Sequence, residues 1–207
     1  YMAAVAAPGG TGALRNAIAN YSERGGKILV SEWYWAPYST IAQELGRGTE
    51  TCAFFNDARD FHLADFEKKV ASLLARQERL VIILNTPAHN PTGYSLTDED
   101  WQGVAEVLQK HSAGKKVALV VDIAYIEFSS HDHDPRNFLP ILESLPESVL
   151  PLISHSFSKT YTLYGMRCGA LVCMAKTKEI AEEFKQVCEF SSRASWSNCA
   201  RAPQMIV

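Results

Sequence analysis

Two patterns alternate along the chain: short runs dense in Val, Ile and Leu, and longer stretches apolar at every third or fourth position. "KILVSE" (27–32), "TCAFFN" (51–56), "RLVIILNTP" (79–87), "KVALVVDIAY" (116–125), "VLPLISHSFS" (149–158) and "GALVCMA" (169–175) are the expected strands. Several are nearly continuous rather than alternating, the pattern of strands covered on both faces. The opening "YMAAVAAPGG" also enters on a strand-like run. Helical spacing marks "TGALRNAIANYSE" (11–23), "LADFEKKVASLLARQ" (63–77), "TDEDWQGVAEVLQKH" (97–111) and "TKEIAEEFKQVCEFSS" (177–192). "SLTDED", where the third begins, offers an N-cap and an acidic first turn that suits the helix dipole. With no internal repeat and no low-complexity linker, alternating strand and helix predict an α/β fold with a mostly parallel sheet.

Composition narrows the partner. Twenty basic and 23 acidic residues give a formal charge of −3, which draws the chain neither to nucleic acid nor to an anionic membrane, so a small molecule is expected. No apolar run approaches the roughly 20 residues of a membrane helix, and no signal peptide opens the chain, so a soluble protein is expected. The five cysteines at 52, 168, 173, 188 and 199 are odd in number and lack a CxxC pair; disulfides are not expected, and a reducing cytoplasm fits. Position 1 is not Met and the end, "APQMIV", stops inside an apolar run, so residues 1–207 are expected to be one piece of a longer protein.

Ligands of parallel sheets gather at the carboxyl ends of the strands, and the unusual residues of this chain follow its strands. "PGGTGALRNAI" opens into a helix with closely spaced glycines, either a plain strand-to-helix turn or a place where N–H groups meet an anion; it is neither a Walker A loop nor a GxGxxG. Asn90, before Pro91, is a turn former or an amide donor to a ligand. Asp122 ends five apolar residues; a carboxylate buried there needs a cationic partner unless it caps the next helix. Lys159 lies in "SHSFSKTYTLYGMRCG" with Ser156 and Ser158 before it and Arg167 after it. Lysine becomes a nucleophilic amine when its proton affinity is lowered, whereas arginine stays charged and suits a phosphate. One amine for a carbonyl, one fixed cation with hydroxyls for a phosphate, and one carboxylate for a basic ring nitrogen together describe a site for pyridoxal 5′-phosphate.

"GGTGA", "NPTG", "DIAY", "SFSK" and "YGMRCG" follow one another over residues 9–169. In that order they resemble the large domain of fold-type I pyridoxal-phosphate-dependent aminotransferases, the class I and II family of aspartate and aromatic aminotransferases. The resemblance implies a mostly parallel seven-stranded sheet flanked by helices, with residues 1–207 as the cofactor-binding large domain, lacking the amino-terminal arm and the carboxyl-terminal small domain. It implies Lys159 as the Schiff-base lysine and general base, Asp122 as partner of the pyridine nitrogen, and Tyr125 and Asn90 as donors to the cofactor's phenolic oxygen. Ser156, Arg167 and the "GTG" of Gly10, Thr11 and Gly12 match the phosphate cup, to which the Ser158 hydroxyl is added as a cofactor-binding candidate. In "EWYWAPY" Trp35 matches the aromatic stacked on the ring, ahead of Trp33, with core packing as the plain alternative.

Gly9 stands where relatives often carry serine, which would remove one side-chain bond to the phosphate. Arg193, five residues before Asn198, has the spacing of an arginine that reaches a neighbouring subunit's site and binds a second carboxylate; a surface arginine at a helix end is the alternative. The expected reaction is transfer of an amino group from a dicarboxylic or aromatic L-amino acid to a 2-oxo acid, in a homodimer. β-Elimination or decarboxylation on the same scaffold, or a non-catalytic pyridoxal-phosphate-binding relative, are the other readings. "HDHD" at 131–134 reads as a solvated loop rather than a zinc site, no metal is expected, and neither His89 nor His155 is given a proton-transfer role.

Overall fold

The computed structural model describes residues 1–129 and 134–207; His131, Asp132 and His133 of "HDHD" lie outside the described residues. The chain runs β1 (Met2–Ala7), α1 (Gly9–Tyr21), β2 (Lys27–Ser31), α2 (Pro37–Glu44), β3 (Gly48–Cys52), α3 (Leu63–Leu74), β4 (Arg79–Asn85) and α4 (Asp98–His111). It continues through β5 (Lys116–Asp122), α5 (Phe138–Ser144), β6 (Val149–Ser156), α6 (Phe157–Thr160), β7 (Gly169–Met174), α7 (Lys178–Ser195) and α8 (Arg201–Ile206). The seven strands form one sheet in the order β1-β7-β6-β5-β4-β2-β3.

Neighbours from β3 to β6 pair in parallel, while β7 is antiparallel to both β6 and β1. Six strands therefore point one way and only β7 is reversed. That reversal matters for the site, because it brings the start of β7 to the same edge as the ends of β1, β4, β5 and β6.

Helices cover both faces, as the near-continuous apolar strands predict. Leu80, Ile82, Leu84, Leu119 and Val121 pack with Phe66, Val70, Trp101 and Val104 of α3 and α4. Val81, Ile83, Ala118 and Val120 pack on the other face with Leu14 and Ile18 of α1 and Phe184 of α7. The alternation along β4 and β5 is the period-2 geometry of a strand in the middle layer of three. At the start of α4 the expected cap is a full capping box: Thr97 Oγ1 accepts from the Asp100 N–H at 3.1 Å and Asp100 Oδ2 from the Thr97 N–H at 3.0 Å.

Three expectations shift. The strand expected at 51–56 is β3 at Gly48–Cys52, and Phe54 and Phe55 leave the ladder for an aromatic cluster with Phe61 and Tyr94. Helices α2 and α5 are short, 8 and 7 residues, too brief to show a helical period in the sequence. Strands β4, β5 and β6 stop two or three residues before the apolar motifs do, releasing their ends as loops at one edge of the sheet.

Candidate active site

A cavity of about 220 Å³ opens at that edge. From the first turn of α1 come Gly10 and Thr11; from the segment after β2 and the start of α2, Trp35 and Tyr38; from β4 and its loop, Asn85 and Asn90. β5 supplies Asp122 and, just beyond it, Tyr125; β6 and α6 supply Ser156, Ser158 and Lys159, and the turn before β7 supplies Tyr164 and Arg167. Ten of the twelve residues named from the sequence thus line one cavity.

One end gathers donors that suit an anion. Pro8, before α1, offers no side-chain cap, and the first turn of the helix carries no acidic residue, so its N–H groups stand uncapped. Arg167 Nη1 donates to Ser158 Oγ at 3.3 Å and to the Tyr164 carbonyl at 2.8 Å, while Nη2 donates to the Pro8 carbonyl at 3.1 Å. Ser156 Oγ accepts from the Ser158 N–H at 3.3 Å. The glycine at position 9 has a reason: its φ is +73°, and a Cβ there would collide with the Arg167 guanidinium. A serine would displace the arginine, so the side-chain bond given up at Gly9 is exchanged for closer approach of a full charge. Gly12 does not line the cavity; it lies under the Pro8 ring, with no room for a Cβ, and its part is to seat the turn.

The other end is buried. Asp122 is 4% exposed, and the cation expected beside it is absent among the described residues. Neutral donors take that place: the Tyr38 hydroxyl donates to Asp122 Oδ2 at 2.5 Å and the Ala124 N–H to Oδ1 at 3.3 Å. Burial raises the Asp122 carboxyl to about 6, against the opposing pull of these two hydrogen bonds.

Asn85 ties two loops together. Its Oδ1 accepts from the Asn90 N–H at 2.7 Å and its Nδ2 donates to the Asp122 carbonyl at 2.8 Å. His89, beside Asn90, is buried, and burial lowers its pKa to about 4, so the ring is neutral. Ser31 Oγ spends its proton on the Trp33 carbonyl at 2.6 Å, so His89 Nε2 is the donor to Ser31 Oγ at 3.3 Å and Nδ1 accepts from Thr92 Oγ1 at 2.9 Å. The ring stacks on Phe54 with centroids 4.2 Å apart. His89 thus links the Asn90 loop to the segment carrying Trp35.

Lys159 lies between the two ends, its Nζ 4.6 Å from the Tyr164 ring centre and 5.5 Å from that of Tyr125. Trp35 lines the cavity, whereas Trp33 is 49% exposed and pairs in a T-shaped contact with Phe55. Arg193 is not in the cavity: it is exposed near the end of α7 and donates to Ser197 Oγ at 2.5 Å.

The family model described as aminotransferase class I and II matches residues 2–202. The chain belongs to that family. It is 31% identical over 186 residues to the aromatic-amino-acid aminotransferase of Paracoccus denitrificans, covering 87% of this chain and 45% of the relative. It is likewise 31% identical over 171 residues to the cytoplasmic aspartate aminotransferase of Caenorhabditis elegans, covering 83% and 40%. The crystal structure of an aminotransferase from Anaerococcus prevotii superposes with a TM-score of 0.96 at 38% identity, over all of this chain and 51% of that one. The chain therefore spans about half the length of the relatives it matches.

For a member of this family the fit to pyridoxal phosphate rests on the donor set. An uncapped helix start with an arginine and two serine hydroxyls suits a phosphate, a primary amine suits a carbonyl carbon, and a buried carboxylate lacking a cation suits a protonated ring nitrogen. Leu14, Tyr38, Asn85, Ala124 and Tyr164 also line the cavity and escaped the sequence reading. Asn85 had a signal, since it ends the apolar run of β4 as Asp122 ends that of β5, and the two are register partners.

Proposed function

We propose that this chain is the cofactor-binding part of a pyridoxal-phosphate-dependent aminotransferase that moves an amino group between an L-amino acid and a 2-oxo acid. The observation that carries the proposal is the convergence of Lys159, Asp122 and Arg167, from three separate segments, on one cavity. Arg167, Ser156, Ser158 and the first N–H groups of α1 would hold the phosphate. Asn90 and Tyr125 would donate to the phenolic oxygen, Asp122 would keep the ring nitrogen protonated, and Trp35 would cover a ring face. Bound there, pyridoxal phosphate supplies a carbonyl that joins an amine and a ring that holds the electron pair left at the substrate's α-carbon. Lys159 would be the amine that holds that carbonyl and, when free, the general base for the proton on the substrate's α-carbon.

The substrate class follows from the relatives, which act on aromatic amino acids or on aspartate, and we place this protein among the dicarboxylic or aromatic amino acids. We further place it in the cytoplasm as a homodimer, with Arg193 reaching the other subunit's site to bind a second carboxylate. Five unpaired cysteines suit a reducing compartment, and no helix among the described residues is long and apolar enough to cross a membrane. The test is an absorbance scan of the full-length protein with pyridoxal phosphate, followed by addition of amino acids. A long-wavelength band that shifts on addition, with release of a 2-oxo acid, supports the proposal. Release of ammonia or carbon dioxide instead overturns it in favour of elimination or decarboxylation. Equal losses for aspartate and for aromatic amino acids in Arg193→Ala would remove Arg193 from the site.

A further inference from the structure

We propose that Tyr38 is a positioning residue of this site, its buried phenol fixing the Asp122 carboxylate for a protonated ring nitrogen. The proposal rests on the function given above in taking a ring nitrogen as the partner of Asp122. Its own ground is geometric. Tyr38 is 2% exposed, in the first turn of α2, and its hydroxyl lies 2.5 Å from Asp122 Oδ2, a distance typical of a hydroxyl bound to a charged oxygen. The residue is held on three counts: its backbone N–H donates to the Trp35 carbonyl at 3.0 Å, its ring meets the Trp35 ring in a T-shaped pair with centroids 5.6 Å apart, and it lies near parallel to the Tyr34 ring at 6.4 Å. One side chain therefore sets Asp122 and Trp35 relative to each other, the two groups assigned to the ring's nitrogen and to its face.

A neutral donor does what a cation would not. A lysine or arginine beside Asp122 would cancel its charge, and the carboxylate would gain little from a second cation. The phenol orients the carboxylate and leaves its charge uncompensated, so the incoming ring nitrogen is the group that completes the pair. Burial and the neighbouring Asp122 push the Tyr38 phenol well above its usual pKa, so it remains a donor. The other ionisable groups around the cavity are Tyr125, Lys159, Tyr164 and Arg167, and none is hydrogen-bonded to Asp122.

The experiment is Tyr38→Phe in the full-length protein, a change that keeps the ring and removes one buried oxygen. Three quantities are read: the Asp122 titration in the cofactor-free protein by carbon-13 NMR, the nitrogen-15 shift of labelled ring nitrogen at pH 8, and kcat against KM. The expected result is a higher Asp122 midpoint, a less protonated ring nitrogen, and kcat lower by about ten- to a hundredfold with KM little changed, the worth of one hydrogen bond to a charge. An unchanged Asp122 titration overturns the proposal, as does a loss of thermal stability with the nitrogen shift and kcat intact, which is what a packing role alone gives. Wild-type protein provides a second reading that does not depend on the variant folding: a downfield, exchange-protected phenolic proton that moves as Asp122 is protonated, whose absence also overturns it. If wild-type protein takes up no pyridoxal phosphate, the proposed function fails by that result, while the Asp122 titration still decides whether Tyr38 holds the carboxylate.

Discussion

The two ends of the cavity handle charge in opposite ways. At the Arg167 end the cation is exposed, and its donors rest on backbone carbonyls and a hydroxyl while the start of α1 stands uncapped. At the Asp122 end the charge is buried and its partners are neutral. An exposed guanidinium is hydrated until an anion arrives, so holding it ready costs little. A buried carboxylate with no cation is costly until a cation arrives, which makes that end discriminate. On the proposed function the cup would accept any small anion of the right size, whereas the ring end would select a protonated nitrogen.

Lys159, between the two, carries the largest expected effect. Lys159→Ala should lower turnover by several orders of magnitude, because both the amine that joins the carbonyl and the base at the α-carbon are lost. Phosphate-end binding should survive, so the variant still takes up the cofactor, but without a lysine linkage; reduction with borohydride followed by peptide mapping reads this directly. Wild-type turnover in the variant would break the assignment of the whole cavity.

Asp122→Asn sharpens the contrast through pH. The folded Asp122 has its pKa raised from 3.8 to about 6, so its contribution to stability is fully present below about pH 4 and is lost as the pH rises through 6. The difference amounts to about 3 kcal/mol in the cofactor-free protein. The amide carries no charge to bury, so relative to wild type the cofactor-free variant should gain stability between pH 4 and pH 8, while activity with cofactor falls steeply. Thermal unfolding at the two pH values measures the first, and turnover the second. A variant that loses stability and activity together at pH 8 would show that the carboxylate is not held at a cost.

The unequal chemistry of the ends also explains what the sequence could reveal. Strands β4, β5 and β6, with α3, α4 and α7, are legible because their apolar spacing follows one period for five residues or more. Asp122 is legible because a charge at the end of an apolar strand conflicts with burial and calls for a reason, and Lys159, Asn90 and Arg167 because their residue types recur in the segments that follow the strands, where ligands of parallel sheets gather. Tyr38 gives no such conflict: a tyrosine in an aromatic-rich segment reads as core, and its role depends on a hydroxyl meeting a carboxylate 84 positions away. The cation expected at Asp122 was inferred from cost alone, and cost does not distinguish a partner already in the chain from one that arrives with the ligand. α2 and the reversal of β7 were hidden because a helix of 8 residues shows little period and pairing direction leaves no mark on an apolar run.

The smallest effect isolates the cup, and it uses two glycines with the same backbone. Gly9 and Gly25 have φ of +73° and +78°, so alanine at either is strained by about 1 kcal/mol. Around Gly25 nothing lies within 4 Å of an added Cβ, whereas at Gly9 that Cβ meets the Arg167 guanidinium. Gly25→Ala should therefore lower stability and leave cofactor affinity alone. Gly9→Ala should lower stability by a similar amount and also weaken cofactor binding, since Arg167 must swing away from the Pro8 carbonyl; the added loss should be about 1 kcal/mol, roughly fivefold in Kd, because the serine hydroxyls and the α1 N–H groups remain. Inorganic phosphate competing for the cofactor-free site reads the same difference without the ring. Equal affinity in the two variants would mean that the close approach of Arg167 to the glycine turn contributes nothing to anion binding, and the exposed end of the cavity would then owe its anion to the helix start and the serine hydroxyls.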